Sequence, residues 1–137
     1  MSESLVLHRS LPVPAERVWR AFTEPARLAA WFWPQRAGAV VAVDLRVGGR
    51  YSIEATTGGY AVTGEYVVVD PPRLLVFTWQ WAGDPDTTLV TLEFTAVAAG
   101  TELTVRHERF RTTEERDSHD QGWRDCLDRL PAELTTH

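Results

Sequence analysis

Apolar and polar residues alternate through most of this chain, and the rule changes only near its two ends. Leu5, Leu7, Arg9 and Leu11 fall on one side of a first segment, with Val6, His8 and Ser10 on the other. A period of two is that of a half-buried strand. Pro12 and Pro14 close it. Pro14 suits the start of a helix, where a missing N–H costs little, and Ala15, Val18, Trp19 and Phe22 then share one helical face. Thr23-Glu24-Pro25 breaks that helix and opens a second short one to about Ala30, followed by Trp31-Phe32-Trp33-Pro34.

The next stretch is predicted to be β throughout. Residues 40–47 form a strand, and Gly48-Gly49 turns it into residues 50–55. Gly58-Gly59 turns that strand into residues 60–69. Glycine pairs between alternating runs are hairpin signals. Asp70-Pro71-Pro72 breaks the chain before a strand at 73–81. Gly83-Asp84-Pro85-Asp86 is a loop, and 88–97 and 101–110 form the last hairpin. Connections this short imply antiparallel neighbours.

Residue spacing then lengthens to that of a helix. Thr112 and Glu115 stand at capping-box spacing, and Glu114, Glu115 and Asp117 suit the positive end of the helix dipole. Trp123, Cys126, Leu127, Leu130 and Leu134 recur at helical intervals. Pro131 removes one helical hydrogen bond and crowds the carbonyl of Leu127, which predicts a kink or an early end there. The pattern is β-αα-β(6)-α, an α+β fold in which a curved antiparallel sheet of about seven strands has one face covered by the long terminal helix.

Composition narrows the function. At 137 residues the chain is expected to form one domain, 1–137, and to bury roughly 68% of its unfolded surface without a disulfide or structural metal. Cys126 is the single cysteine, so no intramolecular disulfide exists, which fits a cytoplasmic protein. The net charge is −5 and is not gathered into a stripe, which argues against nucleic acid as a partner. All 14 basic residues are arginine, which we ascribe to genome composition. The N-terminus has no signal-peptide pattern, and no apolar run reaches the roughly 18 residues of a membrane span.

An ordered set of residues resembles the activator of heat-shock-protein-90 ATPase-like family, within the START and birch-pollen-allergen-like (SRPBCC) superfamily. The set comprises Arg9 and Pro14, Val18-Trp19, Phe22-Thr23 and Pro25, then Trp31-Phe32, Asp44 with Gly48-Gly49, and Gly64. Pro71-Pro72 and Phe77-Thr78-Trp79 follow, then Gly100-Thr101, Leu103 and His107, and last Gly122-Trp123 with Leu127 and Leu130. The resemblance spans nearly the whole chain. It implies a helix-grip fold with an internal cavity between the sheet and the last helix. The family's founding co-chaperone carries a separate N-terminal domain that engages the chaperone. This sequence has no counterpart to it, so direct chaperone binding is not expected.

Strand alternation assigns the candidate lining of that cavity. Leu75, Phe77, Trp79 and Trp81 share one side of their strand; Val90, Leu92 and Phe94 share a side of the next; Leu103, Val105 and His107 share a side of the last. Tyr51 and Ile53 join them, and Tyr66 competes with Val67 and Val69 for the inner face. The expected ligand-binding set is Trp31, Tyr51, Tyr66, Phe77, Trp79, Trp81, Phe94, His107 and Trp123. The same tryptophans, six in all, also suit simple core filling. Trp31 and Trp33 suit either a pocket mouth or a clasp between the short helices and the sheet. His107 suits either a ligand anchor or a core histidine bonded to a tryptophan or the backbone. His119 and Asp120 are expected on a solvated turn, and Cys126 as inert packing.

No nucleophile elbow, zincin or paired-cysteine motif occurs, so catalytic residues, metal and cofactor are all expected to be none. The favoured expectation is a binder of a small apolar or aromatic molecule. An enzyme on the same scaffold, cyclase- or hydrolase-like, and a chaperone or stress-response interaction module are the alternatives. A homodimer through a sheet edge or helix face is a further expectation.

Overall fold

The computed structural model describes residues 3–135. Its elements are β1 (Glu3–Leu11), α1 (Ala15–Thr23), α2 (Pro25–Trp31), β2 (Ala39–Val43), β3 (Arg50–Ala55), β4 (Tyr60–Asp70), β5 (Leu74–Trp81), β6 (Thr88–Val97), β7 (Gly100–Phe110) and α3 (Thr113–Thr135). A single turn of 3-10 helix, Gln35–Ala37, joins α2 to β2. The strands form one antiparallel sheet in the order β1-β7-β6-β5-β4-β3-β2. Neighbours follow the chain except at one edge, where β1 zips onto β7, for example Val6 opposite Arg106.

Alternation becomes burial. Leu75, Phe77 and Trp79 of β5, Val90, Leu92 and Phe94 of β6, and Leu103, Val105 and His107 of β7 are buried on the concave face. All three helices pack there. From α3 come Trp123, Cys126, Leu127, Leu130 and Leu134, and from α1 Val18, Trp19 and Phe22. This is the α+β helix-grip architecture expected from the sequence.

Register at the end of β4 is decided by an irregularity that alternation does not contain. Pairing with β5 shifts between Tyr66 and Val68. Tyr66 keeps the inward phase of Val62 and Gly64, Val67 is exposed, and Val69 is set opposite buried Leu75 by the bulge beyond Tyr66. Just before it, a Cβ on Gly64 would lie 1.9 Å from the carbonyl oxygen of Thr78 and 2.5 Å from the Tyr51 ring. Glycine is what lets β4 approach β5 there.

Two boundaries depart from expectation. The strand expected at 40–47 ends at Val43, because Asp44 turns the chain. Its carboxylate holds Arg46, and the Gly49 N–H donates to the Arg46 carbonyl at 2.8 Å. A Cβ on Gly49 would lie 2.1 Å from the Asp44 carbonyl oxygen. The second correction is Pro131, which neither ends nor breaks α3. Leu130 and Leu134 on either side of it are buried, and Arg17 donates to the Leu134 carbonyl. Packing of the last turn outweighs the one lost hydrogen bond.

The N-terminus of α3 carries a displaced capping box. Thr112 Oγ1 accepts from the Glu115 N–H at 3.1 Å as expected, whereas the Glu115 carboxylate reaches the Arg111 N–H, one residue earlier than the standard partner.

Candidate functional site

Between the end of β5, the α2–β2 connection and α3 lies a half-enclosed cleft of about 250 Å³. Trp79 and Trp81 form its floor, Phe32, Trp33 and Pro34 one wall, and α3 the other, through Ser118, His119, Gly122, Trp123, Asp125, Cys126 and Arg129. The aromatic rings brace one another. Trp79 and Trp81 meet edge to face at 5.5 Å, Trp81 lies parallel to Trp33 at 6.1 Å, and Trp123 touches both Phe32 and Trp79. Gly122 keeps the space open, since a Cβ there would meet nothing within 4 Å. A glycine inside a helix costs roughly 0.5–1 kcal/mol relative to alanine.

A buried polar chain stands behind the aromatic floor. The Trp123 Nε1–H donates to His107 Nδ1 at 3.0 Å. That leaves Nε2 to carry the proton of the neutral ring and donate to Thr88 Oγ1 at 2.6 Å. The Thr88 hydroxyl in turn donates to the Trp79 carbonyl at 3.2 Å. His107 is 0% exposed. Burial, reinforced by neighbouring His119, holds its pKa well below the ordinary imidazole value. His107 therefore orients Trp123 and Thr88, with no nitrogen left for a ligand.

A parallel device holds Trp81. Its Nε1–H donates to His119 Nε2 at 2.9 Å, and His119 Nδ1–H donates to the Glu115 carbonyl at 2.7 Å. The His119 ring packs 4.7 Å from Phe110 and 5.3 Å from His107. This corrects the expectation of a solvated turn, because His119 belongs to the cleft. Cys126 also lines the cleft, and burial pushes its thiol up to about 12. It is protonated packing at neutral pH, not a nucleophile.

The expected ligand-binding residues divide into groups. Trp79, Trp81 and Trp123 meet at the cleft. Tyr51, Tyr66 and Phe77 lie at the deep end of the same interior, where the space between rings is only about 20 Å³. Tyr51 donates its hydroxyl to the Thr78 carbonyl, and burial raises the pKa of both tyrosines. Phe94 packs edge to face on Trp19 and Phe22, away from the cleft. Trp31 donates its N–H to the Ala21 carbonyl and packs on Phe22, clasping α2 to α1. The large internal cavity expected from the fold is thus filled at its deep end and open beside Gly122.

A family model described as Activator of Hsp90 ATPase homolog 1-like protein matches residues 12–135. The chain belongs to this family. Among solved structures, it is 30% identical to protein CV1439 from Chromobacterium violaceum, with a TM-score of 0.84 over 98% of this chain and 99% of that one. It is 27% identical to protein MLL2253 from Mesorhizobium loti, at a TM-score of 0.85 over 96% of each chain. DynU16, a protein of the dynemicin biosynthetic locus, is 28% identical, at a TM-score of 0.85 over 97% of this chain and 47% of DynU16. No curated protein sequence matches the chain. No helix among the described residues is long and apolar enough to cross a membrane.

Within the family fold, Phe32, Trp33, Gly122, His119 and Arg129 are cleft residues that alternation along the strands did not select. One signal for His119 stands in the sequence. It lies four residues before Trp123, hence one turn away on the same helical face.

Proposed function

We propose that this protein binds a small, flat aromatic molecule in the cleft beside Gly122. The observation that carries the reading is an apolar recess walled by four tryptophans from three parts of the chain, Trp33, the β5 pair Trp79 and Trp81, and Trp123, with a helical glycine where a side chain would fill it. Ligand sites have this form, a mostly apolar concavity with few polar groups. A volume of about 250 Å³ is just below the drug-sized range and suits one or two fused rings. Burying about 300 Å² of apolar ligand surface contributes roughly 7 kcal/mol before entropy losses, consistent with micromolar affinity.

Naphthol serves as a probe. Titrating it against the protein is expected to give a saturable change in tryptophan fluorescence. In Gly122→Leu the new side chain occupies the recess. Affinity is expected to fall about tenfold, while the melting temperature holds or rises because leucine is the better helix former. No saturable change with naphthol or any comparable fused-ring probe would sink the reading. Equal affinity in Gly122→Leu would move the ligand elsewhere.

The geometry does not favour proton-transfer catalysis by the two histidines. They stand 5.3 Å apart, but all four ring nitrogens are already engaged.

A further inference from the structure

Resting on that cleft, we propose that its occupant carries a negative group, a carboxylate on an aromatic body, and that Arg129 is the residue that selects it. Arg129 lines the cleft from α3. Its guanidinium is anchored at one side: Nε donates to the Trp31 carbonyl at 3.0 Å and Nη2 to the Phe32 carbonyl at 2.7 Å. Nη2 also lies 3.7 Å from Cys126 Sγ. These contacts fix the guanidinium plane and occupy Nε and Nη2, so a carboxylate would be met by Nη1 alone, with a charge-assisted single hydrogen bond. Nη1 has no partner among the described residues.

The charge is also free of a close counterion. Asp125 and Glu133 stand one turn to either side on α3, yet neither carboxylate comes within 4.0 Å of the guanidinium among the described ion pairs. Asp125 accepts instead from Gln121 Nε2 at 2.9 Å, and Asp128 faces Arg9 at 3.8 Å. Arg129 is half-buried, which makes an unpaired positive charge more effective than one in open water. Of the other polar side chains of the cleft, Trp79 also offers a donor, a buried Nε1–H without a partner among the described residues. His119 has both nitrogens bonded, and Ser118 can only help as a hydroxyl donor. Asp125 is the one acid lining the cleft, so it defines the opposing outcome, a preference for a cationic ligand.

The test compares three probes of one shape on the full chain by calorimetry: naphthoate, the isosteric neutral naphthamide, and naphthylmethylamine. Naphthoate is expected to bind about tenfold more tightly than naphthamide, a charge-assisted hydrogen bond, and to weaken with added salt while naphthamide does not. Arg129→Gln should abolish the preference, so that naphthoate and naphthamide bind equally to the same variant, and Arg129→Lys should restore part of it. Should Arg129→Gln fail to fold for want of its bonds to Trp31 and Phe32, the wild-type comparison and its salt dependence decide alone. Naphthamide or the amine binding as tightly as naphthoate overturns the assignment of Arg129 while the cleft stands. Failure of all three probes to bind overturns the cleft itself.

Discussion

Trp123→Ala is expected to lower the unfolding free energy by about 3–5 kcal/mol. The side chain is buried between the two layers, touching Phe32 at 5.6 Å and Trp79 at 5.9 Å between ring centres. Its removal opens a void where α3 meets β5 and β7. It also strands His107 Nδ1, a buried acceptor whose partner is the Trp123 N–H. Trp123→Phe separates the two effects. It keeps most of the ring but leaves the acceptor unsatisfied, at a cost of about 1–3 kcal/mol. Urea denaturation of the three proteins measures both terms. A phenylalanine variant as stable as the parent would show that the tryptophan–histidine bond adds nothing.

Acid is expected to act through the same pair. His107 has its pKa depressed in the folded state, chiefly by burial and secondarily by His119. Unfolding frees the ring to take a proton at the ordinary value of about 6.5. The unfolded state therefore binds more protons below that pH, and stability falls as pH drops through it towards the lower folded-state value. Above about pH 6.5 the contribution is fully present. Its slope approaches at most about 1.4 kcal/mol per pH unit, the value for one proton taken up on unfolding. The cause is local. A proton on Nδ1 would point at the N–H of Trp123, donor against donor. Urea midpoints across this range, set beside those of His107→Gln, check the claim. Carboxylates elsewhere titrate in both proteins, so it is the difference between the two slopes that matters. Identical slopes would remove His107 as the acid-sensitive group.

The fold was legible because a period of two persists through β3 to β7 and gives way to a helical period at Trp123. The same rule put Trp79, Trp81 and Trp123 on inner faces, and these three do meet. What it left out depends on distance along the interior. Phe94 and Trp81 both face inward, but one is packed against Trp19 and the other lines the cleft. Inward orientation is a local property, whereas proximity to a void depends on how rings from several elements fill the space. Tyr66 follows the alternation of Val62 and Gly64, whereas the bulge after it, which alternation alone cannot place, also brings Val69 against the core. His119 was masked by charged neighbours at Asp117 and Asp120, although its spacing from Trp123 pointed inward. Pro131 shows the converse, a strong local signal overridden by two buried leucines.

The pairing of β1 with β7 has a consequence for how the molecule is made. Leu5, Leu7 and Leu11 are synthesised well before β7, yet Leu5 faces His107 and Leu11 faces Thr101. A sheet edge closed across nearly a hundred residues is a non-local contact of the slowest-forming kind. The first strand must wait, greasy side uncovered, until the seventh has left the ribosome. Closure of the sheet is thus a late event for the nascent polypeptide, and of the seven strands β1 is the one that waits longest for its partner.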